Sequence, residues 1–298
     1  MKQLYRLTPH QRLSHNPLFA LEARRVRWGG SAKAMTDYSI VLVGAICVVV
    51  VLLWLVIRLS ERYPARVNDF SLILLGASLL AALLLDYRCI ATALGSINGE
   101  IAANRWDLLR LTEINPRQIV AAKFGAAQVR VWRLMSLITA LRIAVALTLG
   151  ISVLGLAWQD TTAGVRTTGE IISSLLGQLV LIVVAVIYVV EPFYRMRVVT
   201  ALGVAISARA RSHVSSVLVG VGALAALWLA QGIVITAMAF AVSAILLPLA
   251  LVEYSVNSLI FCAPSVFLVI LVATFYGFYS AVQAWSLRYA ERWVARSG

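Results

Sequence analysis

The sequence predicts an all-α integral membrane protein with six transmembrane helices. Hydrophobic residues make up 61% of the chain, charged residues only 13%, and the mean hydropathy is +0.88. These values lie far outside the usual range of soluble domains. Several apolar runs reach the roughly 20 residues that a helix needs to cross a hydrocarbon core of about 30 Å. No ten-residue alternation typical of a membrane barrel competes with this interpretation.

The amino-terminal region predicts a helix that lies on the membrane surface. Residues 1–33 are polar and basic, so we expect no secretory signal there. Asn16 and Pro17 suit an N-cap and a first helical position. Apolar and charged side chains alternate over residues 16–29, which predicts an amphipathic helix at the level of the headgroups. The alternative is a disordered basic tail.

Spans one, two and three are predicted at residues 37–59, 69–95 and 116–158. The first two are nearly uncharged in their apolar parts and are joined by a polar turn. The third begins with a cytoplasmic extension, and its apolar part contains a single charge, Arg142.

The second half contains three further spans. The fourth is predicted at residues 171–208 as one long helix kinked by Pro192. The alternative is a span that ends near Glu191 and is followed by an interfacial helix. Spans five and six are predicted at residues 214–238 and 263–286. The whole stretch 214–285 contains no Lys or Arg and is longer than two simple spans require.

The distribution of basic residues predicts the topology. The net charge is +13, and 21 of the 26 Lys and Arg residues fall within residues 1–35, 88–133, 195–211 and 288–296. These regions share one side if there are six spans, so the positive-inside rule places both termini in the cytoplasm. We therefore expect a multi-pass protein of the cytoplasmic membrane that contacts anionic lipids and binds no nucleic acid.

No pattern of catalytic or metal-binding residues is present. Cys47, Cys89 and Cys262 are scattered without a CxxC or Cys/His spacing, which favours structural burial. The histidines form no HExxH motif, and no GxxxxGK[ST] loop occurs. We predict that the chain is not an enzyme and that it contains no catalytic, cofactor or metal site of its own.

Ionisable residues inside a membrane are candidates for function, with a partner expected for each. In this chain they are Arg142, Glu191 and Arg195. Glu191 is placed to pair with Arg195 at i+4 or with Arg142 on span three. The structural interpretation is an ion pair that locks two helices, and the functional one is contact with a substrate. The aromatic residues around Tyr279 are expected to pack or to face lipid.

Residues 96–123 form a charged, amphipathic segment between two apolar spans. Apolar side chains including Trp106 and Leu109 recur there at helical spacing. Asn115 and Pro116 then provide a new helix start. The segment therefore predicts a short cytoplasmic helix, a turn and a second helix that runs into span three. The alternative is a solvated loop without a partner.

This segment resembles the coupling region of permease subunits of type-2 ABC exporters. The matching residues are an acidic residue, a Trp-Asp-Leu-Leu core, a Leu-Thr pair, a Pro and an Ile-Val-x-x-Lys tail: Glu100, Trp106, Asp107, Leu108, Leu109, Leu111, Thr112, Pro116, Ile119, Val120 and Lys123. The resemblance implies a coupling helix within residues 98–115, an elbow helix before span one, and short re-entrant helices over residues 239–262.

The resemblance also implies the partners. A separate ATPase subunit would bind ATP and Mg²⁺, and a second permease subunit, identical or related, would complete the pathway. The residues expected to dock on the ATPase are Glu100, Arg105, Trp106, Asp107, Leu109 and Arg110. The expected function is an exporter permease. The alternative is a non-transporting structural or docking subunit, which is supported by Asn104, Arg105 and Glu113 where such permeases commonly carry other residues.

Overall fold

A computed structural model describes most of the chain. The described residues are 9, 13, 15–24, 32–59, 64–102, 114–161, 168–210, 212–251 and 259–296. Within these ranges every regular element is an α-helix. Six of the helices are long and apolar enough to cross a membrane. The chain is therefore a multi-pass helical membrane protein.

Seven helices follow one another along the described residues. They are α1 (Pro17–Arg24), α2 (Ala32–Leu59), α3 (Pro64–Ala102), α4 (Pro116–Thr161), α5 (Thr168–Arg209), α6 (His213–Leu251) and α7 (Leu259–Arg296). Helices α4 and α5 contain 46 and 42 residues. At 1.5 Å per residue each is more than ~60 Å long, so both extend well beyond a hydrocarbon core of about 30 Å.

Two of these helices begin with the same pair of residues. In α1 the side-chain oxygen of Asn16 accepts hydrogen bonds from the backbone N–H groups of Leu18 and Phe19, at 3.1 and 3.2 Å. In α4 the side-chain oxygen of Asn115 accepts one from the N–H of Arg117 at 3.0 Å. Proline follows each asparagine at the first helical position, where its missing N–H costs nothing. Both predicted helix starts are confirmed.

The later boundaries differ in part from the prediction. A single helix, α5, runs through Pro192, which matches the first of the two arrangements proposed for the fourth span. Helix α6 continues without a break from the fifth span to Leu251, whereas short re-entrant helices were expected from residue 239 onward. Residues 239–247 contain neither proline nor glycine, so nothing in them ends a helix. Residues 252–258 lie outside the described part of the chain.

Helix α5 occupies the centre of the bundle and packs against α3, α4 and α7. Its residues Met196, Val198 and Val199 are completely buried. Close contact with α3 depends on Gly203, where an added Cβ would lie 2.6 Å from the Cβ of Ala93. The hydroxyl of Ser207 also donates a hydrogen bond to the backbone carbonyl of Leu94 at 2.7 Å.

The outer surface of the bundle is apolar, and polar side chains are gathered inside. Val41, Ile73, Leu218 and Ile233 are 70 or 71% exposed, although all are strongly hydrophobic. Such a surface would be unfavourable in water and is favourable against lipid chains. The charges that lie inside the apolar spans are therefore the informative feature of the interior.

Candidate functional site: a buried ion network among five helices

Four charged side chains form the centre of the site, which we call the ion network: Asp86 on α3, Arg142 on α4, and Glu191 and Arg195 on α5. Their side chains are 0, 4, 13 and 13% exposed, in that order. Two carboxylates and two guanidinium groups give the network a formal charge of zero. Charges in a low-dielectric interior persist only when they are paired in this way.

Asp86 and Arg195 form the tightest pair. The Nε of Arg195 lies 2.8 Å from both carboxylate oxygens of Asp86, and its Nη2 lies 2.5 Å from Oδ2. The indole Nε1 of Trp228 on α6 donates a further hydrogen bond to Oδ2 at 2.8 Å. This completely buried carboxylate is thus surrounded by donors from two other helices, which offset its loss of hydration.

Glu191 joins the two arginines. Its Oε2 lies 2.5 Å from Nη1 of Arg142, and its Oε1 lies 3.2 Å from Nη1 of Arg195. Oε1 also accepts a hydrogen bond from the hydroxyl of Tyr279 on α7 at 2.9 Å. The two pairings that the sequence left as alternatives for Glu191 therefore occur together.

Uncharged groups extend the network. The Nη1 of Arg142 also donates to the backbone carbonyl of Tyr188 at 2.8 Å, and the guanidinium lies 4.6 Å from the centre of the Tyr188 ring. The Tyr188 hydroxyl is hydrogen-bonded to Ser78. On the other side, Gln231 of α6 donates to the hydroxyl of Tyr279 at 2.7 Å. Side chains from α3, α4, α5, α6 and α7 are thus linked in one hydrogen-bonded set.

Sequence reasoning found three of the four charges and missed Asp86. Asp86 directly follows the apolar run that ends at Leu85, and it was not singled out although it lies inside the span predicted at residues 69–95. The available signal was its presence inside a helix that continues to Ala102. Trp228 and Gln231 were also missed, although a lone amide in an apolar span is a recognisable sign of an interhelical hydrogen bond.

The chemistry of the ion network favours holding helices together. Arginine does not lose its proton in proteins, so neither guanidinium is suited to accept one. Both carboxylates are occupied by arginine donors at 2.5 to 3.2 Å. Within the described ranges there is no group of three or more His, Cys, Asp or Glu side chains that could bind a metal ion.

A second buried cluster joins α1 to the ends of α3 and α4. The ammonium of Lys123 lies 2.6 Å from Oε1 of Glu22 and 2.8 Å from Oε1 of Glu100, and only 3% of the Lys123 side chain is exposed. Arg130 contacts the other oxygen of Glu22 at 3.1 Å. We call these four residues the Lys123 cluster. It connects three helices that meet at the predicted cytoplasmic end.

Packing and a hydrogen bond reinforce this junction. The side-chain amide of Asn16 donates to the backbone carbonyl of Gln118 at 2.8 Å. Gly125 of α4 lies under the side chains of Leu13 and Phe19, since an added Cβ would come within 2.3 Å of the first and 3.0 Å of the second. Helix α1 therefore lies directly on the first turns of α4.

The predicted docking residues fall largely outside the described part of the chain. This is true of Arg105, Trp106, Asp107, Leu109 and Arg110, which lie within residues 103–113. Glu100 is described, and its side chain is 13% exposed and contacts Lys123. Arg142, Glu191 and Arg195 are brought together in the ion network. In the sequence they lie 29 or more positions after residues 103–113.

Comparisons with known proteins add no identification. No family model matches the chain, and no curated protein or solved structure is significantly similar to it.

Proposed function

We propose that this protein is the membrane-spanning permease subunit of an ABC-type exporter, driven by a separate ATPase subunit. The single observation that carries the proposal is the setting of residues 96–123. Their sequence has the coupling-region pattern, and both of their ends belong to helices tied together by the buried Lys123 cluster. A segment that receives force needs such rigid attachment, and a solvated loop does not.

The order of elements supports the same function. Helix α1 is short, precedes the first span and packs on α4, as an elbow helix would. The last turns of α3 and the first turns of α4 lie at the end of the bundle where Glu22, Lys123 and Arg130 meet. The ATPase would dock there on the predicted residues, with Trp106 and Leu109 as apolar anchors and with Glu100, Arg105, Asp107 and Arg110 as charged neighbours.

Transmission of force would run along α4. This helix begins at Pro116 and continues without interruption past Arg142 to Thr161. A displacement at its first turn would therefore reach Arg142, about 26 residues or ~39 Å further along the helix axis. There the ion network joins α4 to α5 through Glu191. ATP and Mg²⁺ would be bound by the ATPase, and a second permease subunit would complete the transport path in the cytoplasmic membrane.

One observation favours the alternative of a non-transporting structural or docking subunit. The charges of the ion network neutralise one another, and each carboxylate accepts hydrogen bonds from at least two side chains. An interior in which every charge of the ion network is paired is compatible with a rigid structural subunit as well as with a permease that transmits force. ATP-dependent movement of a substrate is what separates the two functions.

Copurification and transport measurements test the proposal. The full chain is expressed in its native host with a tag, solubilised gently, and the bound proteins are identified by mass spectrometry. We expect an ATPase subunit to copurify, and Trp106→Ala to reduce its recovery at least ten-fold, because removing a buried aromatic anchor costs 2 kcal/mol or more. Trp285→Ala is the matched control, since Trp285 is 63% exposed on α7.

The outcomes separate the alternatives. Recovery of an ATPase that is lost in Trp106→Ala and kept in Trp285→Ala supports the permease. If the complex forms and hydrolyses ATP but moves no substrate in reconstituted vesicles, the alternative function as a structural or docking subunit is supported. If no ATPase copurifies with the solubilised wild-type protein, the proposed permease function is ruled out.

A further inference from the structure

A large groove lies between the carboxyl-terminal half of α5, the amino-terminal half of α6 and the carboxyl-terminal half of α7. Its volume is about 1080 Å³, slightly above the ~300 to 1,000 Å³ typical of small-molecule sites. The groove forms because α6 contacts α3 and α5 more than it contacts α7. It is separate from the ion network and from the Lys123 cluster.

The walls of the groove are apolar and of two kinds. Helix α6 contributes mostly small side chains, and α7 contributes mostly large aromatic ones. The lining residues used here are Val219, Ala223, Ala226, Phe278, Trp285 and Tyr289. Val219 and Trp285 are 55 and 63% exposed, so the groove is open along one side. That side runs along the candidate membrane spans of α6 and α7, where an open apolar surface is favourable against lipid chains.

A single cation lies at one end of the described lining. Arg209, in the last turn of α5, donates a hydrogen bond to the hydroxyl of Tyr289 at 3.1 Å, and its guanidinium lies 5.8 Å from the ring centre of Trp293. No carboxylate of the described residues lies within ion-pair distance of it. Trp285, Tyr289 and Trp293 follow one another at i+4 spacing with ring centres 5.7 and 6.2 Å apart.

An aromatic column that ends in an arginine is typical of the headgroup level of a membrane. The rest of the groove lies deeper along the same helices and is apolar. A ligand that fits must therefore carry a negative charge at one end and a hydrocarbon chain at the other. A soluble anion would leave the apolar walls unfilled, and a neutral hydrocarbon would leave Arg209 without a counter-ion.

We propose that this groove binds an anionic phospholipid, with the phosphate against Arg209 and an acyl chain along α6 and α7. The chemistry of Arg209 suits phosphate, because a planar guanidinium donates to two oxygens at once. The hydroxyl of Tyr289 accepts one of the five N–H donors of Arg209, so other donors remain for the headgroup. The proposal does not depend on the permease function, since it concerns a different surface and needs no ATPase.

The test measures lipids retained by the full-length protein. The protein is reconstituted in nanodiscs of phosphatidylcholine with an equal amount of phosphatidylglycerol, transferred to detergent, and examined by native mass spectrometry. We expect wild-type protein to retain phosphatidylglycerol in preference to phosphatidylcholine. Arg209→Gln should retain about ten-fold less, the ratio that corresponds to the ~1.5 kcal/mol lost with a direct hydrogen bond to the charged phosphate.

Two matched pairs of variants make the test specific. Arg292→Gln removes an exposed arginine of α7 outside the groove lining, and it should leave retention unchanged. Ala226→Phe fills the groove and should reduce retention of both lipids, whereas Ala225→Phe alters the neighbouring residue outside this groove and should not. The melting temperature of each variant in detergent shows whether it is folded.

Three results would overturn the proposal. The first is equal retention of phosphatidylglycerol by Arg209→Gln and wild-type protein. The second is displacement of the bound lipid by millimolar inorganic phosphate alone, which would indicate a phosphate site without an acyl chain. The third is loss of a dimer in Ala226→Phe with lipid retention unchanged, which would make the groove an interface between two copies of the chain.

Discussion

A fully buried carboxylate among apolar helices requires cationic partners, and Asp86 obtains them from residues far away in sequence. Its donors are Arg195, 109 positions away, and Trp228, 142 positions away. Removing one member of such a pair leaves the other charge buried and uncompensated, which costs more than the pair itself contributes. The stability of the bundle should therefore depend on the pair as a unit.

A double-mutant cycle measures this dependence. We expect Asp86→Asn and Arg195→Gln each to lower the free energy of unfolding by about 3 to 5 kcal/mol. The double variant should cost less than the sum, with a coupling of about 0.5 to 3 kcal/mol. Equilibrium unfolding in mixed micelles with sodium dodecyl sulfate provides the measurement.

The matched control is Arg117→Gln. Arg117 lies 3.8 Å from Glu291, and its side chain is 81% exposed, so the loss should be no more than about 1 kcal/mol because water screens exposed pairs. If Asp86→Asn is no more harmful than Arg117→Gln, the Asp86 and Arg195 pair does not stabilise the bundle.

At the scale of the element, α1 shows how a short amphipathic helix is attached. Its eight residues are too few to be stable alone in water. Three contacts hold it: the N-cap Asn16 to Gln118, Glu22 to Lys123, and Phe19 over Gly125. The contact between Phe19 and α4 requires glycine at position 125, because an added Cβ would come within 3.0 Å of the Phe19 ring.

Gly125→Val tests that contact. A branched side chain would meet the Phe19 ring and the tip of Leu13 at less than ordinary contact distance, so α1 should separate from α4. We expect a cysteine introduced at Ala23, which is 2% exposed, to react at least ten-fold faster with a water-soluble maleimide in the Gly125→Val background than in the wild-type background.

Gly95→Ala is the control for the effect of losing a helical glycine. An added Cβ at Gly95 meets nothing within 4 Å, so the change should leave labelling at position 23 unaltered and stabilise α3 by up to about 1 kcal/mol. Equal labelling rates in the Gly125→Val and wild-type backgrounds would show that Gly125 is not needed to seat α1.

At the scale of the whole molecule, six membrane crossings by the candidate spans of the described residues would put both termini on the same side of the membrane. The positive-inside rule predicts that this side is the cytoplasm, since 21 of 26 basic residues fall in the segments assigned to it. We expect reporters fused at either terminus to be active only in the cytoplasm. A reporter inserted within residues 60–63 should be active only outside.

This experiment also tests the count of spans. Opposite locations for the two termini would mean that one of the six apolar helices does not cross the membrane. A cytoplasmic signal from the insertion at residues 60–63 would mean that α2 and α3 do not form a pair of spans. Either result would contradict the topology on which the proposed docking surface depends.

The sequence by itself determined the membrane class, the six spans and the two helix starts at Asn16 and Asn115. These features depend on local properties, namely total hydrophobicity over about 20 residues and the side chain that caps the first turn. The prediction for the second half was less accurate. Span five was predicted to end at residue 238, but α6 continues at least to Leu251, because the residues after 238 are almost all apolar and no capping signal precedes Pro248.

Only the tertiary structure decided which polar groups meet. Asp86 pairs with Arg195 and Glu22 with Lys123 across 109 and 101 residues. Such pairings depend on how each helix is rotated and shifted along its axis relative to its neighbours. Helices that are apolar on all faces carry no stripe from which that rotation could be read. The sequence therefore supplied the charges of the ion network, and the packing of α3 to α7 determined that they form one site.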